Sequence, residues 1–211
     1  MVGDEHRAET LRVLRQLCRQ TVRPLESGPA TRLSLGVPAL DALLPGRGVE
    51  CGSLVEWFAP IEGSGAATLA LQGVRRTLER QLVWAVIDAT GDFHPTAARG
   101  WGVSLESLLL LRPTSVADAV WTVEQCLRCP AIGTTWYRTE HLPDPVSRRW
   151  KLAAEVGGGI GVLFRPESSA RRTSWADVRW QVHPRPAVKQ ASRVLRVELV
   201  ACRGSFAGGS V

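Results

Sequence analysis

An apolar run, a turn of small residues and a helical segment follow one another within residues 48–71. The run Ser53–Phe58 predicts a buried strand, and an apolar pattern with helical spacing starts near Ala66. A strand that passes through a glycine turn into a helix directs backbone N–H groups and the helix N-terminus at one point, as in a phosphate-binding loop. This stretch therefore predicts an α/β fold built around a mostly parallel sheet.

The turn lacks the residues with which a phosphate-binding loop works. The motif requires G-x-x-x-x-G-K-[ST], whereas Ala59 stands at the first glycine and five residues instead of four separate it from Gly65. Ala66 and Ala67 stand at the lysine and hydroxyl positions, so only Thr68, one position late, offers a hydroxyl. Two interpretations follow, a nucleotide-binding core without its working parts or an ordinary strand, turn and helix with small residues for packing, and we expect no bound ATP. The positions of this turn, here called the degenerate loop, are Pro60, Glu62, Gly63, Ser64, Gly65 and Thr68.

Length and composition limit the class of protein. The 211 residues fit one domain with or without tails, and a hydrophobic fraction of 45% supports a packed core. The formal net charge is +6 and arginine supplies nearly all the positive charges, which favours contact with nucleic acid or with an acidic protein surface. Five irregularly spaced cysteines argue against a disulfide framework and favour a reducing cytoplasm. We expect neither a secretory signal nor a membrane span, because the N-terminus is polar and no apolar run approaches about 20 residues.

Residues 4–23 predict an amphipathic helix that precedes the main domain. Its apolar stripe is narrow, and arginines occupy much of the remaining helix surface. Two interpretations stay open: the helix packs on its own domain, or it is an arm that binds a partner or a second copy of the chain. Proline and glycine after it predict a linker, so the expected units are residues 1–26, a core domain 27–204 and a flexible tail 205–211. The stripe consists of Leu11, Leu14, Leu17 or Cys18, and Val22.

The rest of the chain alternates between predicted strands and helices. Continuous apolar runs at Leu82–Ile87 and Leu108–Leu111 predict buried parallel strands. Two successive alternating strands near the C-terminus predict an antiparallel edge, so the predicted fold class is a mostly parallel β-sheet flanked by helices, with an antiparallel C-terminal edge and a separate N-terminal helix. The other predicted elements are strands at 131–137, 160–164, 175–182 and 194–200, and helices at 69–80, 116–129 and 147–156.

Two small motifs admit both a functional and a structural interpretation. Asp88, Asp92 and His94 follow a predicted strand, where catalytic groups of α/β sheets gather, but aspartates in such loops also cap helices. Cys126 and Cys129 form a C-x-x-C pair on a predicted helix, without a second pair or a histidine at ligand spacing. We favour turn chemistry for the first motif and core cysteines for the second, so no metal site is predicted.

Basic residues form two clusters in the second half of the chain. Arg148, Arg149 and Lys151 stand at the predicted start of a helix, where the helix dipole disfavours cations, so an anionic partner is one explanation. A solvated helix surface is the other explanation. Arg171 and Arg172 form the second cluster, in a polar loop. These five residues are candidates for contact with DNA or with a partner protein.

The order of these segments resembles the core of the RecA recombinase family between Thr31 and Gly204. The resemblance implies a RecA-like fold that has lost its ATPase activity, because Thr90 stands where that family carries a catalytic glutamate and the strand at 131–137 lacks an aspartate for magnesium. The family's DNA-binding loops are shortened here to 141–145 and 166–173, which argues against a recombinase-like filament. The resemblance rests on L-S-L-G-V-P-A-L-D-A-L-L-P-G-R-G-V-E-C-G-S-L-V-E-W-F-A-P and V-I-D-A-T-G-D-F-H-P-T-A-A-R-G-W-G-V-S-L-E-S-L-L-L-L-R-P.

A closer resemblance is to the ImuA family, RecA-like proteins of bacterial damage-induced mutagenesis cassettes. The residues that carry it are D-A-V-W-T-V-E-Q-C-L-R (118–128), R-R-W-K-L-A-A-E (148–155) and G-I-G-V-L-F-R-P (159–166). The stretch 195–204 resembles the basic terminal strand of that family, of which Arg203 keeps a part, and Arg203 joins the candidate binding residues on that ground.

This resemblance implies a non-catalytic accessory protein of SOS-induced translesion DNA synthesis in the cytoplasm. The implied partners are an ImuB-type protein related to Y-family polymerases and an error-prone polymerase subunit, with RecA, DNA and a second copy of the chain as further expected contacts. Two alternatives stay open, a RecA-like ATPase with an atypical loop and a cell-division inhibitor of the related SulA type.

Overall fold

The computed structural model describes residues 2–20, 25, 28–61, 63–186, 193–205 and 207–211. An N-terminal helix precedes a short two-stranded sheet and a larger sheet with helices on both faces. The helices are α1 (Val2–Gln20), α2 (Pro38–Asp41), α3 (Ala66–Leu78), α4 (Pro95–Gly100), α5 (Val116–Arg128) and α6 (Asp144–Gly157). The strands are β1 (Gly28–Leu33), β2 (Val49–Cys51), β3 (Leu54–Ala59), β4 (Val83–Ile87), β5 (Leu108–Leu111), β6 (Ile132–Arg138), β7 (Ile160–Pro166), β8 (Val178–Arg185) and β9 (Val194–Cys202).

The larger sheet has the strand order β5-β4-β6-β7-β3-β8-β9. The pairs from β5 to β8 are parallel, and β9 runs antiparallel to β8. Strands β1 and β2 pair antiparallel in a separate sheet. The predicted fold class, a mostly parallel sheet with an antiparallel C-terminal edge, is therefore confirmed.

Two hydrophobic cores cover the two faces of the larger sheet. Helix α3 packs on one face with buried Ala70 and Val74, above the indole rings of Trp57 and Trp84. Helices α1, α5 and α6 cover the other face around Trp150, which is fully buried. Coverage on both faces explains why the central strand β4 is a continuous apolar run. None of the helices in the described part of the chain combines the length and the apolar character that a membrane crossing requires.

Helices α5 and α6 approach each other closely because a glycine ends α6. A Cβ atom at Gly157 would overlap the carbonyl oxygen of Leu127, so no larger residue fits there without movement of the backbone. The indole N–H of Trp150 donates to the carbonyl of Val120 at 3.1 Å, which fixes α6 against the middle of α5. This packing sets the position of the basic residues on α6.

Four predicted features differ from the structure. Strand β5 lies at the edge of the sheet and is half-buried rather than buried, because only β4 pairs with it. Helix α6 begins at Asp144, earlier than predicted, and β8 begins at Val178, later than predicted. Residues 207–211 form backbone hydrogen bonds with β9, such as that from the N–H of Gly208 to the carbonyl of Leu199 at 2.9 Å. The tail thus pairs with the open edge of β9, whose backbone groups need partners.

Candidate functional site

The degenerate loop joins β3 to α3 at the carboxyl edge of the parallel sheet. Gly65 precedes α3 with a φ of 103°, in the left-handed region that favours glycine, and offers no side chain to cap the helix. Ser64 is buried, and its hydroxyl donates to the carbonyl of Ile61. Pro60 and Gly63 are exposed, and Glu62 lies outside the described residues. The hydroxyl of Ser64 is therefore committed to the loop itself.

A cavity of about 300 Å³ lies beside the loop. The carboxyl ends of β3, β6 and β7 form its walls, together with the first turn of α3. Parallel sheets commonly bind ligands at this edge. Ala66 occupies the position of the missing lysine at the cavity, and Thr68 lines it with a half-buried side chain. Cationic side chains that line the cavity are Arg138, Arg165 and Arg193.

The start of β9 contacts the degenerate loop directly. A Cβ atom at Gly65 would lie 2.6 Å from Leu195 Cδ1, so the leucine side chain packs on the glycine itself. One guanidinium nitrogen of Arg193 donates to the carbonyl of Gly63. An apolar side chain and a cation of the same chain therefore engage two glycines of the loop, a contact between residues 130 positions apart that the sequence did not indicate.

The carboxylate of Asp88, in the loop after β4, forms structural hydrogen bonds. Asp88 is buried and accepts from Arg112 Nε at 3.1 Å and from the N–H of Phe93 at 3.3 Å. These bonds tie the loop after β4 to the end of β5, whereas the predicted role was to cap α4. His94 directly precedes α4 and forms no side-chain cap, and Asp92 is exposed. Thr90 is exposed in the same loop.

A buried ion cluster on β3 was not predicted from the sequence. Glu56 is fully buried, and its carboxylate accepts from Arg165 at 2.8 Å, from Arg179 at 2.8 Å and from Ser174 at 2.9 Å. Buried carboxylates require such partners, because desolvation of an unpaired charge is costly. The only available signal was a glutamate inside the apolar run L-V-E-W-F.

The ion cluster also holds the polar loop that follows β7. Arg179 donates to the carbonyl of Arg172 at 3.0 Å, and its guanidinium lies 4.9 Å from the centre of the Phe58 ring. Ser174 belongs to the same loop and binds Glu56. The backbone of this loop is therefore anchored to the sheet, while the side chains of Arg171 and Arg172 are exposed.

Three of the predicted basic residues lie on α6 or in the loop that follows β7. Together with Trp175 of that loop, Arg148, Arg171 and Arg172 are here called the arginine–tryptophan patch. The guanidinium of Arg148 lies 5.3 Å from the centre of the Trp175 ring, and Arg171 and Arg172 precede that tryptophan in its loop. Within the described part of the chain, none of these three arginines forms an ion pair. The patch therefore presents unpaired positive charge beside an aromatic ring.

The other predicted basic residues lie elsewhere. Arg149 pairs with Glu124 of α5 at 2.9 Å. Lys151 is buried and is not an exposed binding residue, since its ammonium binds Asp177 at 2.8 Å and the carbonyl of Gly52 at 3.0 Å. Arg203 pairs with the same Asp177 at 3.4 Å. The six candidates thus separate into a patch, a helix–helix ion pair and a structural cluster.

The predicted position of the α6 basic residues at the start of the helix was wrong. Because α6 begins at Asp144, its basic residues lie in the second turn, beyond the unpaired N–H groups where the dipole acts most strongly. Asp144 instead provides a carboxylate in the first turn. The exposed charge of the patch, and not the helix dipole, favours an anionic partner.

The N-terminal helix packs on α5 of its own chain. Leu14 is buried in this contact, and Arg7 Nε donates to Asp118 at 2.8 Å. Leu11 is half-buried and Cys18 is exposed, while Val22 lies outside the described residues. The structure thus has the first of the two predicted arrangements, and a role of this helix in association stays a prediction.

The cysteines of α5 are buried, as predicted. Cys126 and Cys129 both belong to the core beside α1, and burial raises the pKa of Cys129 to about 12. In the described ranges, no group of three or more histidine, cysteine, aspartate or glutamate side chains is placed to hold a metal ion.

Known proteins resemble this chain in sequence and in fold. The model of the RecA N-terminal domain family matches residues 14–135. RecA of Rhodopirellula baltica is 36% identical over 100 residues, which cover 47% of this chain and 26% of that protein, so the chain matches about a quarter of that relative's length. ImuA of Caulobacter vibrioides is 27% identical over 203 residues, covering 86% of this chain and 82% of ImuA.

A solved structure agrees with the fold. The crystal structure of the RadB recombinase has a TM-score of 0.65 to this chain at 16% sequence identity, covering 84% of this chain and 93% of RadB. The family match spans more than half of the chain, and the ImuA match extends over most of both proteins. The predicted resemblance is thereby confirmed: the chain belongs to the RecA N-terminal domain family and is an ImuA-like member of it.

Proposed function

We propose that this protein is a non-catalytic RecA-fold accessory protein in damage-induced translesion DNA synthesis. The observation that carries the proposal is the degenerate loop, which has no lysine and contacts Leu195 and Arg193 of its own chain. In this role the chain acts through its surfaces, by binding partner proteins and DNA.

Missing charges are the physical reason to expect no ATPase activity. Phosphoryl transfer depends on cations and metal ions placed where negative charge develops, and such groups each contribute orders of magnitude in rate. Here Ala66 takes the position of the lysine, and Thr90 that of the glutamate that the resemblance implies. Strand β6 ends in Tyr137 and Arg138, without a carboxylate for magnesium. Absence of the lysine, the glutamate and the magnesium carboxylate at these motif positions favours a protein that binds partners over one that hydrolyses ATP.

Likeness to ImuA supports the partners and the process. The similarity to the Caulobacter vibrioides protein covers most of both chains, so we extend to this chain the ImuB-type partner and the error-prone polymerase subunit that the family resemblance implies. The cytoplasm is the compartment in which such an assembly meets DNA. RecA is a further proposed contact of the same assembly.

We place the DNA contact at the arginine–tryptophan patch. Exposed guanidinium groups bind backbone phosphates, and an aromatic ring can stack on an unpaired base, which is the combination used for single-stranded nucleic acid. Arg148, Arg171 and Arg172 supply the charges and Trp175 supplies the ring. The anchored loop backbone limits the entropy that binding would cost.

Hydrolysis is tested by a steady-state phosphate-release assay on the full chain, with and without single-stranded DNA. We expect no turnover above the buffer rate. Thr68→Ala is the matched variant, because Thr68 is the hydroxyl nearest to the motif position. Turnover in the wild-type chain that Thr68→Ala abolishes would establish the ATPase alternative instead.

DNA binding is tested by fluorescence anisotropy with a labelled single strand at several salt concentrations. Affinity should fall with salt, and each phosphate contact removed by Arg148→Glu, Arg171→Glu or Arg172→Glu should reduce the slope by about 0.7 in log–log form. Arg76→Glu is the control, since Arg76 lies on α3 and pairs with Glu79. An affinity that responds neither to salt nor to the three patch variants would assign the patch to a protein partner.

A further inference from the structure

Helices α1 and α5 lie side by side in the same direction, and side chains join them near both ends. Near the N-terminal ends, Arg7 Nε donates to Asp118 Oδ1 at 2.8 Å. Farther along both helices, the Sγ atoms of Cys18 and Cys129 lie 3.3 Å apart. The separation from 7 to 18 equals that from 118 to 129, so the two helices stay in register between the ion pair and the sulfur contact.

The two thiols differ in their access to solvent. Cys18 lies in the last described part of α1 and is exposed, whereas Cys129 caps the C-terminus of α5 and is 5% exposed. The Sγ of Cys129 also contacts the carbonyl of Leu14 at 3.9 Å, which holds it against α1. The thiol of Cys18 can therefore react with a reagent from solution, while the buried thiol of Cys129 lies in contact with it.

The distance between the Sγ atoms of Cys18 and Cys129 is close to that of a disulfide bond. Sulfur atoms in a disulfide lie about 2.05 Å apart, so an approach of roughly 1 Å converts this contact into a bond. In the described part of the chain, Cys18 and Cys129 form the one pair of cysteine sulfurs in such contact. Cys126, one turn before Cys129, is fully buried.

We propose that Cys18 and Cys129 are a thiol–disulfide exchange site, oxidised to an intramolecular disulfide by a low-molecular-weight disulfide of the glutathione class. Deprotonated Cys18 attacks one sulfur of the reagent, forming a mixed disulfide and releasing one thiol, which takes up a proton. Deprotonated Cys129 then attacks Cys18 Sγ and releases the second thiol, which also takes up a proton. Two protein thiols are oxidised and one reagent disulfide is reduced, with two protons passing through solvent.

The order of the two steps follows from the surroundings of each cysteine. Cys18 is the entry point because it is exposed. Burial raises the pKa of Cys129 to about 12, so its thiolate is scarce and this residue serves as the second, resolving thiol. A chain oxidised in this way holds α1 covalently on α5 and cannot extend it to another molecule.

The first experiment treats the reduced full chain with increasing concentrations of oxidised glutathione. Thiols are then counted by maleimide labelling and intact mass, and the linked peptides are mapped. We expect the loss of two thiols per chain, a Cys18–Cys129 linked peptide and no retained glutathione. Cys202→Ser, which removes a half-exposed cysteine outside this pair, should behave as the wild-type chain does, whereas Cys18→Ser should lose the linkage.

The second readout is thermal unfolding of the oxidised chain. A bridge between positions 111 residues apart restricts the unfolded state strongly, so the unfolding temperature should rise by roughly 10 °C and return on reduction. Cys18→Ser should show no such rise, and its exposed position leaves the fold intact. A stable glutathione adduct on Cys18, or a Cys18–Cys18 bond between two chains, would overturn the proposal.

Discussion

Removal of the Glu56 carboxylate should destabilise the protein more than any single surface substitution. Glu56 is fully buried, and the side chains of its partners Arg165 and Arg179 are 2% and 11% exposed. In Glu56→Ala both guanidinium groups lose their counter-charge without gaining access to water. Breaking a buried ion pair in this way costs about 3–5 kcal/mol.

An exposed ion pair provides the matched comparison. Glu79 pairs with Arg76 at 3.1 Å on the outside of α3, with a side chain that is 58% exposed. Such a pair is worth about 0.3–0.5 kcal/mol, so Glu79→Ala should change the free energy of unfolding very little. Both variants replace one glutamate by alanine and remove one charge. A difference between their changes in unfolding free energy therefore reports the effect of burial.

Equilibrium unfolding in urea, followed by tryptophan fluorescence, measures both free energies. For Glu56→Ala the thermal midpoint should also fall by roughly 6–20 °C. Trypsin should cleave faster after Arg171 and Arg172, because the loop loses its anchor on Glu56. A loss of less than about 1 kcal/mol in Glu56→Ala, with unchanged cleavage, would refute the assignment of the cluster as a buried charge network.

A triple variant tests whether unpaired buried charge is the cause of the lost stability. Glu56→Leu combined with Arg165→Met and Arg179→Met removes the charges together and keeps similar volumes. Replacement of a buried ion cluster by apolar side chains is often neutral or stabilising. The triple variant should therefore recover most of the stability that Glu56→Ala loses, and a triple variant as unstable as Glu56→Ala would mean that packing, not charge, causes the loss.

Two further predictions concern the degenerate loop and the α1 contact. Gly65→Ala should lower the free energy of unfolding in urea by about 1–3 kcal/mol, because alanine is strained at a φ of 103° and its Cβ must displace Leu195. Gly73→Ala, inside α3, should instead raise the free energy of unfolding by about 0.5–1 kcal/mol. Equal stability of the two variants would contradict this expectation. The Ser115 hydroxyl, followed by Arg7, lowers the pKa of Asp118 in the folded chain. The stabilising effect of the Asp118 carboxylate is therefore present above the ordinary aspartate pKa and is lost as the pH falls below that value through the lowered pKa of the folded chain. Asp118→Asn should therefore be less stable than the wild-type chain at pH 7, and the two unfolding free energies should converge in acid; a difference independent of pH would contradict the assignment.

Several features of the fold follow from neighbouring residues and were predictable. The apolar run of β4 and the glycine turn before α3 are local patterns, so the sequence predicted both elements close to their observed bounds. The missing lysine is visible for the same reason, since Ala66 occupies one position of a contiguous motif. The antiparallel C-terminal edge also followed from two strands without a helix between them.

Tertiary structure alone decided what each charged side chain does. Lys151 reads as a surface cation in the sequence, but α6 turns it toward the start of β3, where Asp177 neutralises it. Glu56 stands in an apolar run because two arginines from β7 and β8 reach it. Strand order brings these partners together across more than 100 positions of the chain, and the spacing of residues in a sequence contains no record of that order.

Contact of β9 with the degenerate loop combines features that the sequence determined with one that only the tertiary structure decided. The sequence by itself determined that the loop has no lysine and that a strand, a turn and a helix surround it. Only the folded chain placed Leu195 on Gly65, because β9 pairs with β8 and β8 pairs with β3. Local propensity sets the elements, whereas the burial of apolar surface over the whole chain sets which elements become neighbours.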